Sequence, residues 1–246
     1  VIATSSDEGD TSVILWNPDS GQIIHRLEGH PFRAWGLAFS PDGLLLATGS
    51  LDGTVRLSTL DATDDVRVLT DHTDAVTCVA FSPDGRSLAT ASLDGTALLH
   101  DVDQSRRVRP LFGHMGVVNG CQFSRDGRLI ATWSTDGTVR IWHSEGDTEP
   151  RILGGHDGGV RAVEFSPRND GLLTVDMSGS ARIWHLDEGA AAITIASTQA
   201  VVTAVYRSDG EMLVTSTADG EVCLWPLAGP MVGEAHVVAT ADPSLV

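Results

Sequence analysis

Residues 71–101 read DHTDAVTCVAFSPDGRSLATASLDGTALLHD. Val76, Val79 and Phe81 run up to Ser82-Pro83-Asp84-Gly85, a turn in which proline presets φ and glycine permits positive φ. Two strands therefore flank a tight turn. Residues 87–92, 96–100 and 107–112 are short, rich in β-branched or aliphatic side chains, and separated by Leu93-Asp94-Gly95 and Asp101-Val102-Asp103. They complete an expected unit of four antiparallel strands.

The same sentence recurs on both sides. It reads GHPFRAWGLAFSPDGLLLATGSLDGTVRLS from Gly29, GHMGVVNGCQFSRDGRLIATWSTDGTVRIWH from Gly113 and GHDGGVRAVEFSPRNDGLLTVDMSGSARIWH from Gly155, so that His30, His72, His114 and His156 follow one another at 42-residue steps. A fifth copy, VTAVYRSDGEMLVTSTADGEVCLW, carries Thr198 at the histidine position, and the chain opens inside a copy with VIATSSDEGDTSVILW. A fixed period of this length marks a repeat array. Four short strands cannot bury both faces alone, so the units must stack, and radial stacking leaves only short, protected edges. The expected fold is an all-β propeller forming one domain over residues 1–246: a partial repeat 1–29, repeats 30–71, 72–113, 114–155, 156–197 and 198–239, and the start of a further strand in 240–246. The last unit's fourth strand is expected near Met231 to Val238.

The Gly-His dipeptide, the FSPDG turn, the (S/T)xDGT turn and a Trp six residues after that Asp resemble WD40 repeats over essentially the whole chain. There are departures. No Trp-Asp dipeptide occurs, Ser58 and His100 stand at the Trp position, and Asp176 and Ser178 are exchanged. The resemblance implies a ring of seven blades, about six of them represented in this sequence. It also implies a hydrogen-bonded chain from Trp to Ser to His to Asp tying a blade together. On that reading only His114, Ser134, Asp136 and Trp142 form a complete set.

Chemistry is bounded by what recurs and by what is missing. A Ser/His/Asp trio invites comparison with a hydrolase triad, yet the trio repeats at equal offsets, whereas an enzyme needs it once. A structural role is expected, with no catalytic residue, no cofactor and no metal site. All sixteen cations are Arg, and the absence of Lys removes the usual ATPase, kinase and Schiff-base chemistries from these residues. The sixteen Arg face 33 Asp and Glu, a formal net charge of −17. That balance repels phosphate backbones and anionic lipid, which excludes nucleic acid as an expected partner. No apolar run is long enough to span a membrane. The pairs Asp64-Asp65 and Asp101 with Asp103 are read as turn residues and the Arg106-Arg107-Val108-Arg109 run as a solvated strand edge. Cys78, Cys121 and Cys223 lack metal-like spacing and are expected as buried thiols in a reducing, cytoplasmic compartment. Lysine-free composition points to a high-GC bacterium. Val1 falls inside a strand, so the true N-terminus is expected elsewhere and the chain is expected to be the C-terminal part of a larger one.

In proteins resembling WD40 repeats, partners meet the residues just after the His and just before the turn Asp. Carried onto this chain, that surface includes Phe32, Arg33, Leu51, Leu93, Met115, Val117, Thr135 and Met177. Apolar turns on an acidic protein mark an interaction patch, the alternative being that some fold inward. Trp133, where other units carry Gly49, Ala91 and Val175, either plugs a gap or protrudes, and Trp35 is a similar oddity. The expected function is non-enzymatic docking of protein or peptide. Two alternatives are a sensor module fused to a nucleotide-hydrolysing or kinase domain, and a propeller enzyme with a channel-mouth site. No unrepeated His/Asp/Glu cluster supports the latter.

Overall fold

The second strand of each repeat is built from small and aliphatic residues because it is buried on both faces. LLATGS, SLATAS and GLLTVD are nearly all inaccessible to solvent, and each fully buried Leu or Val contributes about 1.5–3 kcal/mol. The computed structural model describes residues 1–6, 11–60, 65–103, 108–186, 192–195, 197, 199–228, 231–232 and 236–240. Among the described residues there is no helix.

The chain divides into two compact units. In the first, Val1–Phe123, the strands are β1 (Ile2–Ser5), β2 (Val13–Trp16), β3 (Ile23–Leu27), β4 (Ala34–Phe39), β5 (Leu45–Ser50), β6 (Val55–Thr59), β7 (Val66–Leu69), β8 (Val76–Phe81), β9 (Ser87–Ser92), β10 (Ala97–Asp101), β11 (Val108–Leu111) and β12 (Val118–Phe123). They form the sheets β1-β2-β3, β4-β5-β6-β7 and β8-β9-β10-β11. In the second unit, Ser124–Val246, are β13 (Leu129–Ser134), β14 (Val139–His143), β15 (Arg151–Leu153), β16 (Val160–Phe165), β17 (Gly171–Asp176), β18 (Ala181–His185), β19 (Ile193–Thr194), β20 (Val201–Tyr206), β21 (Met212–Thr217), β22 (Glu221–Ala228), β23 (Met231–Val232) and β24 (His236–Thr240). Here β13-β14-β15, β16-β17-β18-β19 and β20-β21-β22 pair in order, with β23 and β24 both on β22. Six antiparallel sheets are present, the blades of a β-propeller.

The last blade's outer strand lies at His236–Thr240, a little beyond the expected Met231 to Val238, because β22 first pairs with the two residues of β23. Residues 241–246, where a further strand was expected to begin, lie outside the described residues, as do Asp64, Arg106 and Arg107.

Core packing runs between sheets inside each unit. In the first, Ala47, Val55 and Leu57 pack with Val76, Val79 and Leu88. Gly49 makes this approach possible, since a Cβ there would fall 2.5 Å from Val76 Cγ1. In the second unit Trp133 is half-buried and packs against Val139, Val160 and their neighbours, so it plugs a gap. Trp35 takes the other course, 42% exposed with the Arg33 guanidinium 5.1 Å from its ring centroid, a cation–π contact.

Candidate functional site

The site is assembled where two turns meet in each repeat. Sequence dictates the first turn directly: Asp before Gly caps its own backbone, and glycine takes positive φ, +80° at Gly53, +83° at Gly95 and +80° at Gly137. In the His72 repeat, Asp94 Oδ1 accepts from Thr96 N at 2.9 Å and from Thr96 Oγ1 at 2.6 Å. Its other oxygen accepts from His72 Nδ1 at 2.9 Å and from Thr73 N at 3.0 Å. Every strong acceptor position is thus occupied. Burial pushes the Asp94 carboxyl up, but the bonds from Thr96, Thr73 and His72 outweigh it and hold it below the usual range. Asp52 is held down in the same way by Thr54 and His30.

The relay differs from the expected one at its middle member. His30 Nε2 bonds Thr48 Oγ1, His72 Nε2 bonds Thr90 Oγ1 and His156 Nε2 bonds Thr174 Oγ1, each at 2.8 Å. Trp142 Nε1 donates to Thr132 Oγ1 at 3.0 Å, Trp184 to Thr174 at 2.8 Å and Trp225 to Thr215 at 2.9 Å. Ser134 is therefore not the partner of Trp142. Its hydroxyl accepts from Asp136 N at 3.1 Å. Ser50 and Ser92 likewise accept from the turn Asp, and donate to Phe32 O and Asp74 O at 3.0 and 2.9 Å, pinning the loop that follows the histidine. The physical reason is pairing register. Thr90 lies two residues before Ser92 on the same face of β9, and β10 carries His100 opposite Leu88, two residues from Thr90 and so on its face.

The signal was in the sequence, since Thr48, Thr90, Thr132 and Thr174 each stand 18 residues after their His. Thr215 shares the pattern when counted from Ser197, which the Trp225–Thr215 bond places at the histidine position. Thr198, the expected occupant, lies outside the described residues.

Two repeats expected to be incomplete are complete. Asp176 bonds His156 Nδ1 at 2.9 Å and receives Ser178 N, Ser178 Oγ and Ser180 N, so the exchange of Asp and Ser moves the carboxylate along the turn without losing a bond. Its carboxyl, pushed up by burial, is pulled below the usual range by Ser178, Ser180 and His156. Burial pushes the His156 imidazole down against the opposing pull of Asp176. In the His72 repeat, His100 takes the Trp role: its Nε2 lies 3.1 Å from Thr90 Oγ1. Two further exchanges accompany it. Arg56 donates to Gly29 O and fills the space a side chain at Gly29 would need, and Arg182 fills that space at Gly155. Where Leu98 replaces that Arg, Asp71 replaces the Gly and stands 3.8 Å from His100 Nδ1.

The turn residues expected to meet a partner sit directly above these relays. Leu51 N bonds Arg33 O, Leu93 N bonds Ala75 O and Met177 N bonds Gly159 O, a clamp repeated from blade to blade. Phe32 is 57%, Met115 90% and Met177 56% exposed. Thr135 is exposed as well, whereas Arg33, Leu51, Leu93 and Val117 are half-buried. In the first unit Leu93, Met115 and Val117 line a recess of about 420 Å³ with Asp94, His114 and Phe112. Phe112, 65% exposed, was not foreseen, although Glu28, Thr70 and Gly154 at its position in other repeats mark it as unusual. Among the described residues no group of His, Cys, Asp and Glu could hold a metal ion, and no helix is long and apolar enough to cross a membrane.

Comparison with known proteins agrees with the repeat pattern. The chain is 38% identical over 53 residues to WD repeat-containing protein SL1-17 of Schistosoma mansoni, 22% of this chain and 18% of that protein. It is 42% identical over 48 residues to the guanine nucleotide-binding protein subunit beta of Saccharomyces cerevisiae, 20% of this chain and 11% of that one. With Striatin-4 of Homo sapiens it shares 54% identity over 39 residues, 16% of this chain and 5% of that protein. These matches span less than a fifth of each relative. All three are eukaryotic, and the bacterial source expected from composition is not borne out. A chain in the crystal structure of the Mitotic Checkpoint Complex superimposes with a TM-score of 0.79 at 22% identity, covering 92% of this chain and 71% of that one. The model of the WD domain, G-beta repeat, matches residues 21–57, 63–101, 105–143, 148–185 and 192–226. With relays recurring blade after blade inside those segments, the chain belongs to the WD40 repeat family.

Proposed function

We propose that this protein is a non-enzymatic docking scaffold for a protein or peptide, and that the turns above the relays form its contact surface. The observation that carries this reading is Met115, 90% exposed beside Phe112 at a recess of mixed polar and apolar lining, on a chain of net charge −17. An apolar side chain of that size exposed on an acidic surface is unfavourably hydrated and gains by burial in an interface. Relatives that include a G-protein beta subunit and a chain of a multiprotein complex agree with such a role. The histidines argue against catalysis. Both ring nitrogens of His30, His72 and His156 are engaged in structural bonds, leaving none to accept a substrate proton. Three free thiols fit the reducing, cytoplasmic compartment we assign to it. A ring of seven blades, the number the family resemblance implies, completes the reading.

The test is partner capture by Met115→Asp, Phe32→Asp and Met177→Asp, each measured beside a melting curve. Arg86→Asp and Arg128→Asp, in the Asp-Gly turns between the first and second strands of their repeats, serve as controls. Capture should fall at least tenfold in the first group with Tm unchanged, since a central apolar anchor carries about 2 kcal/mol or more. Retained capture in all three would place the contact surface elsewhere.

A further inference from the structure

Two of the three cysteines meet on neighbouring inner strands of the first unit. β8 carries an irregularity between Val76 and Cys78 that turns Cys78 toward the next repeat. On one side β4 presses close, a Cβ at Gly36 falling 3.2 Å from Cys78 Cα. On the other, Thr77 Oγ1 donates to Val118 O at 2.7 Å and Cys78 Sγ lies 3.4 Å from Cys121 O. The strands are thus held together independently of the sulfurs. Cys78 thus lies beside Cys121 across the contact between β8 and β12, the neighbouring placement that a disulfide requires.

The two thiols also differ. Cys121 is 3% exposed and Cys78 half-buried, so a small reagent meets Cys78 first. The neighbouring Cys121 side chain lowers the Cys78 pKa, and the same pairing, together with burial, pushes Cys121 well above its usual value. That division matches an attacking and a resolving thiol. Cys223 is buried in a different cluster, in the second unit.

We propose that Cys78 and Cys121 form a peroxide-oxidisable dithiol site that closes to an intramolecular disulfide. The Cys78 thiolate attacks one oxygen of hydrogen peroxide; the O–O bond breaks, hydroxide leaves, and Cys78 becomes a sulfenic acid. The Cys121 sulfur then attacks Cys78; the S–O bond breaks, the S–S bond forms, and the hydroxyl leaves as water with the Cys121 proton. Hydroxide takes up the proton first lost by Cys78. Two thiols have given two electrons to one peroxide, which becomes two waters. The bond ties β8 to β12 across 43 residues of chain and restricts the unfolded state accordingly.

The protein is treated with equimolar hydrogen peroxide, alkylated, digested without reductant and mapped by mass spectrometry. Two of three thiols should disappear, a Cys78–Cys121 peptide should form, and Cys223 should remain alkylated. Tm should rise by roughly 5–15 °C and return with dithiothreitol. Cys121→Ser should stop at a Cys78 sulfenic acid trapped by dimedone, and Cys78→Ser should leave Cys121 reduced. Cys78 carried to sulfinic acid in the wild-type chain, a disulfide between two molecules, unmodified thiols, or equal oxidation of Cys121 in Cys78→Ser would each overturn the proposal.

Discussion

Thr90 Oγ1 lies between two imidazoles, 2.8 Å from His72 Nε2 and 3.1 Å from His100 Nε2. Because Asp94 accepts from His72 Nδ1, the neutral ring leaves Nε2 as an acceptor; Thr90 therefore donates to His72 and accepts from His100 Nε2. One hydroxyl thus orders both rings. Thr90→Val keeps the shape and removes both bonds, leaving two buried nitrogens unsatisfied, and should destabilise by about 2–4 kcal/mol in urea denaturation. Ser92→Ala should cost less, about 1 kcal/mol, because, of its two partners, Asp94 N and Asp74 O, the latter lies on the surface where water replaces the bond. A larger loss at Ser92 than at Thr90 would return the central role to serine. His100 makes the same repeat sensitive to pH. Burial pushes its imidazole from the usual 6.5 down to about 4, although Asp71 opposes the shift. The folded pKa is the lower one, so between about 6.5 and 4 the unfolded chain binds the extra proton and stability declines as pH falls through that window. The decline should be on the order of 3 kcal/mol, and His100→Gln should flatten it in a series of melts.

At the scale of the strand and its turn, glycine positions are unequal. Gly179 has φ +86°, and a Cβ there would meet Ala200 Cβ at 2.5 Å and Ala200 Cα at 2.6 Å. Gly21 has φ +66° with nothing within 4 Å. Gly21→Ala should cost about 1 kcal/mol of backbone strain alone. Gly179→Ala adds a main-chain collision and should cost about 3 kcal/mol or more. Equal melting temperatures for the two variants would show that the turn moves aside freely. Asn169 shows the tolerated exception. At φ +58° it takes the left-handed place that Gly43, Gly85 and Gly127 hold in other repeats, and its Oδ1 accepts from Arg125 N at 3.0 Å.

Across the molecule as a whole, charge dominates. A formal −17 with an isoelectric point near 4.6 implies strong self-repulsion at neutral pH, which salt screens over a Debye length of about 8 Å at physiological ionic strength. Raising sodium chloride from about 20 to 200 mM should therefore raise Tm at pH 7.5. Turbidity on acid titration should peak near pH 4.6, where repulsion vanishes and His100 begins to protonate. A Tm that falls with added salt would mean attractive ion pairs outweigh the acidic excess. Arg168 with Glu211 and Arg207 with Asp209 are such pairs, all on the surface and individually weak.

The 42-residue period, the Asp-Gly and Pro-Asp-Gly turns and the alternation within each unit sufficed to identify antiparallel blades, because turn chemistry and strand periodicity are local properties of the chain. The relay was half legible. His and Asp stand out as polar residues repeating among apolar ones, whereas Thr hides in a strand, where β-branched residues are common, and only pairing register reveals which hydroxyl faces the ring. Asp71, Leu98 and His100 looked like three unrelated departures from the repeat; space made them one set, since the Arg and the Gly touch across a blade 27 residues apart. The Cys78–Cys121 approach and the recess shared by Leu93 and Val117 likewise depend on how closely neighbouring sheets stack. That distance is set by packing between repeats, which no single repeat encodes.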